Sequence, residues 1–145
     1  MTQKTLHSKA IKFLEKNRVS RIGSISEKGF LHIVPICHVV SDENIFFSTP
    51  MLSKKVKNMR VNDNVTISCD YYDENWIKSE HLMINGKSQI IAQGKEYDLI
   101  RKLIYQKYPQ CKDYAPIREN EEVIIKIYPL KSYHYKETDY QKNKK

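Results

Sequence analysis

Cysteine, glycine and long apolar segments are scarce in this chain of 145 residues. The three cysteines, Cys37, Cys69 and Cys111, form no CxxC pair, which disfavours both a disulfide framework and a zinc site. No apolar run approaches the roughly 20 residues that span a bilayer. The first residues are polar and lack the apolar segment of a secretory signal. We therefore expect a cytoplasmic protein with no membrane partner.

The chain has enough apolar residues for one core and a surplus of positive charge. Hydrophobic residues make up 40% of the sequence, and a chain of this length usually forms a single domain. We predict one domain over residues 1–136 and a flexible basic tail over 137–145. The net charge of +8 attracts anions, and nucleic acid, anionic lipid and phosphorylated small molecules are all candidates.

Short alternating segments predict an antiparallel β-structure with peripheral helices. Amphipathic spacing predicts helices over 5–17, 53–60 and 95–108. Alternation and turn signals predict strands over 18–25, 30–40, 45–48, 65–71, 82–92, 122–128 and 130–135. Strands linked by hairpins favour a mainly β (α+β) fold, an antiparallel split β-barrel of about six strands. Side chains fill so small a barrel, so a large ligand must bind outside it, where a partner subunit can supply a second wall.

Two residues indicate irregularities in this sheet. The segment 30–40 is apolar on both faces, so one side needs the barrel core and the other a ligand or a second subunit. Pro35 within it has no N–H for a ladder, which indicates an edge, a bulge or an opening. Gly86 in the segment 82–92 indicates a bulge or a close approach of another backbone.

The segment 47–57 has the pattern of a strand, a turn and a helix start. Ser53 stands at the expected N-cap, and the first turn of a helix leaves backbone N–H groups that favour an anion. Lys54 and Lys55 add positive charge there, and Ser48 and Thr49 can donate hydroxyl hydrogen bonds. These residues predict a pocket for a phosphate monoester. The alternative interpretation is a capped helix with a solvated lysine face.

An ordered set of segments resembles the pyridoxamine-phosphate-oxidase-like, FMN-binding split barrels. Within that family the chain is similar to a branch described as probable deazaflavin (coenzyme F-420)-dependent enzymes. The resemblance covers roughly residues 8 to 135 in collinear order. Its segments are GFLHIVPI at 29–36, IFFST at 45–49, SKKVKNM at 53–59, VTISCDYYDENW at 65–76, GKS at 86–88 and KYPQ at 107–110.

This resemblance implies a homodimer with two cofactor sites at its interface. It implies hydride transfer between a small organic substrate and a bound cofactor, FMN or alternatively coenzyme F-420, with the hard chemistry done by the cofactor. It assigns no catalytic residue, and it matches Trp76 to a tryptophan of unassigned role. The residues matched to cofactor binding are Ser53, Lys54 and Lys55 at the phosphate, Ser48 and Thr49 near it, and Val34, Pro35 and Ile36 along the ring.

Some features favour other functions. True pyridoxamine-phosphate oxidation is disfavoured, because the second strand is apolar and the C-terminal end lacks an arginine pattern. His32 and His38 near Cys37 suggest metal or haem binding, but no third ligand lies nearby in sequence, so packing or a ring contact is expected. Tyr71, Tyr72 and Trp76 with Lys78 suggest a stacking platform for single-stranded nucleic acid, yet no nucleic-acid-binding motif is present. A flavin-binding protein without turnover remains a further alternative.

Overall fold

The computed structural model describes residues 6–139. In this range seven strands, four α-helices and one 3₁₀ turn (Trp76–Lys78) are formed. The helices are α1 Ser8–Lys16, α2 Lys54–Val61, α3 Lys95–Lys107 and α4 Cys111–Tyr114. The strands are β1 Val19–Ile25, β2 Leu31–Cys37, β3 Val39–Ser41, β4 Asn44–Pro50, β5 Asn64–Tyr71, β6 Glu80–Ile91 and β7 Glu122–Lys136.

All seven strands belong to one antiparallel sheet in the order β2-β1-β5-β6-β7-β4-β3. Its two end strands, β2 and β3, are separated in the chain only by His38. The sheet must therefore curl until its two ends meet at this residue. This confirms the predicted antiparallel split barrel. The strand count is seven instead of about six, since the strand predicted over 30–40 breaks at His38.

His38 is fully buried at the point where the two ends of the sheet meet. The Nε2 atom lies 2.7 Å from the carbonyl oxygen of Leu14, which can only accept, so Nε2 carries the proton. Nδ1 therefore accepts from the hydroxyl of Ser20, 2.8 Å away. In the neutral form of this tautomer, which burial favours, both ring nitrogens are hydrogen-bonded. The side chain thus ties the bend to α1 and to β1, which explains why the strand breaks here.

The end of α3 reinforces the same bend. The Lys107 ammonium donates to three backbone carbonyls, those of Leu14 (3.1 Å), Asn17 (2.9 Å) and His38 (3.1 Å). The Tyr108 hydroxyl donates to the His38 carbonyl at 2.6 Å. Burial lowers the pKa of Lys107 to about 8 and raises that of Tyr108 beyond its usual range. The helices α1 and α3 and the barrel seam are therefore joined through backbone groups at one place.

Two apolar clusters form the interior. The larger fills the curled sheet and includes Phe13 and Leu14 of α1, and Val56 and Met59 of α2. The smaller lies beneath α3, where Tyr97 is fully buried. The inward faces of the strands supply most of the rest, as the alternating pattern predicts. No helix within residues 6–139 combines the length and apolar character needed to cross a bilayer.

The two predicted irregularities are present. Pro35 lies on β2, an edge strand that pairs only with β1 in the described sheet. At Gly86 the β6–β7 register shifts, and an added Cβ would lie 2.6 Å from the carbonyl oxygen of Tyr128. The strands predicted over 122–128 and 130–135 are one strand, β7, which continues past this shift. The connection between α3 and β7 contains the short helix α4. Of the predicted tail only residues 137–139 are described, and they are helical.

Acid is expected to weaken the fold through His38. Burial, followed by the nearby Lys107 charge, lowers its pKa from 6.5 to about 4. Between these values the unfolded chain binds a proton that the folded chain does not, so stability falls as the pH falls. We expect a loss of up to about 3 kcal/mol from this residue between pH 7 and 4, measured by denaturant unfolding. His38→Gln should remove that part of the slope, and an equal slope in both proteins would contradict the assignment.

Candidate functional site

The sheet is left unpaired between β2 and β4 beside the bend. β3 pairs with β4 only as far as Phe46, so residues 47–50 have no strand neighbour on that side. The free edge of β2 faces these residues, and some Cα atoms of β2 and β4 lie within 8 Å of each other. No hydrogen-bonded ladder joins the two strands in the described sheet. We call this opening the β2–β4 slot. It brings the predicted segments at 34–36 and 48–49 to opposite sides of one gap.

The three predicted residues of β2 do not present one side-chain surface to this slot. Ile36 is buried in the barrel core, and Val34 is half-buried against the same core. Pro35 is exposed on the opposite, outer face of the sheet. Successive strand residues point to opposite faces, so this result follows from the alternation. The strand can therefore border a ligand through its edge main chain more readily than through these side chains.

The helix α2 begins where β4 ends, and Ser53 stands at its N-cap position as predicted. Its side chain makes no capping bond, because the hydroxyl instead lies 3.2 Å from the Thr49 hydroxyl that donates to it. The first backbone bond of the helix runs from the Lys57 N–H to the Ser53 carbonyl at 3.2 Å. The amides of residues 54–56 precede that bond and have no acceptor within the helix. They remain available to an anion.

Lys54 and Lys55, the two lysines predicted to bind phosphate, lie in different environments. Lys55 is half-buried, and this burial lowers its pKa, an effect opposed by the nearby carboxylate of Glu122. Burial in turn raises the pKa of Glu122. Lys54 is exposed and lines a separate cavity. Glu122 was missed in the sequence, where it stood only as the start of a strand.

This second opening, which we call the basic cavity, has a volume of about 480 Å³. It lies between α2 and the β1–β2 turn at residues 26–30. Three lysines, Lys28, Lys54 and Lys57, line it against a single carboxylate, Glu27, and the exposed ring of Phe30 forms part of its wall. The surplus of positive charge makes the cavity suited to an anion.

His32 lines the basic cavity, and one of its ring nitrogens has no hydrogen-bond partner. Its Nδ1 is buried and has no hydrogen-bond partner within residues 6–139. The neighbouring Asn58 amide is already used, since it donates to the Ser24 hydroxyl at 3.0 Å. A buried polar atom without a partner is costly, so a ligand that supplied one would be favoured. The sequence suggested packing, a ring contact or metal binding for His32, and gave no sign that it lies beside α2.

The outer face of the sheet carries a cavity of about 690 Å³. Its apolar rim includes Leu31, Ile33 and Leu130, which are 71%, 62% and 56% exposed. Thr66 and Asn85 form part of its polar floor and are hydrogen-bonded to each other at 3.0 Å. Several exposed apolar side chains gathered around one cavity are typical of a binding face.

The metal, haem and nucleic-acid sites that the sequence suggested as alternatives have less support in the structure. His38 has both ring nitrogens occupied and is buried, as described above. Within residues 6–139 no three His, Cys, Asp or Glu side chains gather closely enough to hold a metal ion. Tyr72 and Trp76 are exposed on the loop between β5 and β6, far along the strands from the basic cavity.

Solved structures similar to this one have diverse names. A FAD-binding protein from Mesorhizobium loti is 20% identical with a TM-score of 0.73, covering 89% of this chain and 92% of its own. HutZ, the heme storage protein from Vibrio cholerae, is 13% identical with a TM-score of 0.72, covering 89% and 93%. An F420 reductase is 16% identical with a TM-score of 0.65, covering 84% and 94%. These likenesses show the fold.

Comparison with curated proteins finds no matching sequence. The family profile of pyridoxamine 5'-phosphate oxidase, in contrast, matches residues 6–134, which is nearly the whole of the described structure. That match includes the β2–β4 slot, the start of α2 and the basic cavity. The chain therefore belongs to the pyridoxamine 5'-phosphate oxidase family of split β-barrels.

Proposed function

We propose that this protein is a flavin-dependent oxidoreductase that transfers hydride to or from a small organic substrate. The observation that carries the proposal is the basic cavity at the start of α2, with its three lysines and the unpartnered Nδ1 of His32. Family membership and the neighbours named as a FAD-binding protein and an F420 reductase support it. FMN is the proposed cofactor, with coenzyme F-420 as the alternative.

The residues present fit a phosphate monoester. The free amides of residues 54–56 and the ammonium of Lys54 provide donors at a helix N-terminus, where the helix dipole also favours negative charge. His32 can satisfy its buried nitrogen by a hydrogen bond to a phosphate oxygen. Lys55 and the Ser48 hydroxyl belong to the same strand–helix junction, whereas the buried Thr49 hydroxyl already donates to Ser53. Together these groups would hold the phosphate at the junction of cavity and slot.

The β2–β4 slot would then receive the rest of the cofactor. Its strand edges provide main-chain groups that can orient a ring, and the apolar core behind them excludes water. When bound, the flavin supplies the hydride chemistry at its ring. The chain's own contribution would be binding, orientation and exclusion of water. Because the flavin would supply the chemistry, the protein needs groups that bind and orient it, and lysines, hydroxyls and backbone amides are such groups.

We also propose a homodimer formed through the outer face. A monomer would leave the apolar rim around Ile33 and Leu31 in water, at a cost of about 25 cal/mol per Å² of apolar surface. A second copy would cover that rim and close the outer side of the slot. We place the protein in the cytoplasm, where the exposed thiol of Cys37 would stay reduced.

Absorbance separates this proposal from its alternatives. A flavin spectrum that bleaches with NAD(P)H and recovers with an oxidant supports an enzyme, whereas bound flavin that never turns over supports a store or sensor. The deazaflavin absorbs at a different wavelength from FMN and can be identified by mass spectrometry. A haem band in place of either would favour the function named for HutZ.

Lys55→Ala is expected to weaken FMN binding by about 10- to 100-fold. The substitution removes one half-buried charged donor, and a hydrogen bond to a charged group is worth roughly 1.5–3 kcal/mol. Titration calorimetry with FMN measures the change. Lys12→Ala on α1 removes the same charge from an exposed site and should leave the affinity unchanged. Equal affinities in the two variants would remove Lys55 from the site.

His32→Phe is expected to lower the affinity for FMN while raising the stability of the unliganded protein. The phenyl ring keeps the size of the side chain and removes the buried nitrogen that has no partner. Unfolding by denaturant and FMN titration measure the two effects separately. A variant that binds FMN as the wild type does would show that this nitrogen does not contact the ligand.

Native mass spectrometry is expected to find a dimer of the 17.2 kDa chain. Ile33→Glu places a charge in the apolar rim and should yield monomers, because an unpaired buried charge is strongly unfavourable at an interface. Leu99→Glu is the matched control, since Leu99 is also exposed but lies on α3, away from the outer face. A dimer that survives Ile33→Glu and dissociates with Leu99→Glu would place the interface elsewhere.

A further inference from the structure

A hydrogen bond joins two separate openings on the outer face of the sheet. Ser68 lines the cavity of about 690 Å³ around Gly23, which we call the outer cavity. His81 lines another, of about 190 Å³, beside the loop between β5 and β6, which we call the small cavity. The Ser68 hydroxyl lies 3.2 Å from the Nε2 atom of His81. The two side chains therefore connect one opening with the other.

The register of β5 and β6 brings this pair together. Ser68 and Asp70 alternate with inward-facing residues and so point to the outer face of β5. Ser68 pairs with Met83, and Asp70 pairs with His81. His81 is therefore the diagonal neighbour of Ser68 on one face of the sheet, a position from which a long side chain can reach it. Strand pairing alone thus determines the contact.

His81 is held in place yet remains open to water. The Tyr135 ring meets it edge-on, with 5.4 Å between the ring centroids. The carboxylate of Asp70, which lies opposite on β5, is paired with Arg21 at 3.5 Å. The small cavity reaches solvent, since Tyr72 in its lining is 62% exposed. A histidine in such a position can exchange protons with water through Nδ1 while Nε2 keeps its hydrogen bond.

The outer cavity adjoins the proposed cofactor site. Leu31 lines both this cavity and the basic cavity. The floor is open at Gly23, where an added Cβ would approach nothing beyond its chain neighbours closer than 3.6 Å. The apolar rim and this open floor can hold a small organic molecule beside the cofactor. The substrate of the proposed function would therefore lie here.

The polar part of the outer cavity favours a carbonyl compound. Oδ1 of Asn85 accepts from the Thr66 hydroxyl at 3.0 Å, so the side chain presents its NH2 group as a donor. Arg21 adds a guanidinium to the same lining. Donors on a carbonyl oxygen draw electrons from a double bond conjugated with it, and such a bond accepts hydride. We therefore expect a small molecule with a C=C bond conjugated to a carbonyl group.

Reduction of such a bond by hydride also requires a proton, and the outer cavity has few sources of one. Among the lining residues that the structure describes, Arg21 carries the only charge, and a guanidinium does not give up its proton. The Thr66 hydroxyl already donates to a neighbouring amide. Ser68 differs, because its hydroxyl is bonded to an imidazole, a group that gains and loses protons near neutral pH. Ser68 is therefore the lining group best placed to donate.

We propose that Ser68 donates the proton that accompanies hydride transfer and that His81 resupplies it from the small cavity. The inference rests on the proposed function and adds to it a substrate class and a proton path. The substrate takes a hydride from the reduced cofactor at one carbon of the double bond and the Ser68 proton at the other. It thus gains two electrons, and the cofactor loses two. Nε2 of His81 passes its proton to Ser68 as Nδ1 takes one from water.

The first test uses the cofactor-free protein. Benzamide is a planar carbonyl compound without a reducible C=C bond, and nitrogen NMR follows the His81 ring, whose signals are identified by their loss in His81→Gln. Benzamide should shift the Nε2 signal in the wild type, because its carbonyl oxygen draws the Ser68 hydroxyl toward itself. Ser68→Ala should abolish that shift. An unchanged signal at saturation would overturn the inference, and so would failure of benzamide to bind.

The second test measures reoxidation of the reduced, FMN-loaded protein by two acceptors. Cyclohexenone needs a hydride and a proton, whereas ferricyanide takes electrons alone. His81→Gln should slow reoxidation by cyclohexenone about 100-fold or more, because general acid catalysis contributes roughly 10²–10⁴-fold. Its reoxidation by ferricyanide and its affinity for FMN should equal those of the wild type. Equal slowing with both acceptors, or slowing with neither, would contradict the proton path.

Matched variants distinguish proton transfer from a structural effect. His7→Gln replaces an exposed histidine that precedes α1 and should alter neither rate. Ser68→Ala should reproduce the selective loss, and Ser68→Thr, which keeps a hydroxyl, should retain most of the rate. Free imidazole entering the small cavity should restore part of the rate in His81→Ala, which a structural role would not allow. Full activity of Ser68→Ala would refute the proton donor, and absence of rescue by imidazole would refute the role of His81.

The outcomes separate this inference from the function on which it rests. A protein that binds no flavin refutes the proposed function and this inference with it. A flavin-loaded wild type that ferricyanide reoxidises and cyclohexenone does not would refute the substrate class and the proton path, while the proposed flavin function stands.

Discussion

The closure of the sheet at His38 is the constraint on which the rest of the structure depends. β2 and β3 are the two ends of a seven-stranded sheet and are also neighbours in the chain, so a single residue must turn between them. His38 does so with a neutral imidazole whose two nitrogens are both hydrogen-bonded, and its carbonyl accepts from Lys107 and Tyr108. Burial without unsatisfied groups makes this bend stable.

The position of the bend determines where a ligand can bind. Because β3 has only three residues, it covers the first part of β4 and leaves the second part facing β2 across the slot. β4 then leads directly into α2, so the open strand edge and the free amides of a helix start lie next to each other. The site is thus a consequence of one short strand, and its polar groups come mainly from the backbone. Side chains such as Lys54 and His32 add charge and selectivity.

Periodicity predicted the strands and helices well, because each depends on its own pattern of burial. It failed at His38, where the strand breaks because this residue makes four hydrogen bonds with residues distant in sequence. The phosphate-binding pattern around Ser53 was visible in the sequence, but the divergence of Lys54 and Lys55 was not considered, although adjacent helical residues point about 100° apart. His32 was singled out in the sequence only for packing, a ring contact or metal binding, since its lack of a hydrogen-bond partner is a property of the packed structure. Glu122 became relevant only when β7 placed it beside Lys55.

The distribution of charge distinguishes the lysines of the proposed phosphate site from the other basic residues of the chain. Lys55 lies near the carboxylate of Glu122, so its charge is partly balanced within the chain. Lys126 pairs with Glu96 at 2.8 Å, and Arg21 with Asp70 at 3.5 Å. The basic cavity is different, because three lysines there share one carboxylate. Their mutual repulsion and the unpartnered nitrogen of His32 both raise the free energy of the empty site. A phosphate would relieve both at once, so the affinity should come as much from the unfavourable empty state as from the new bonds.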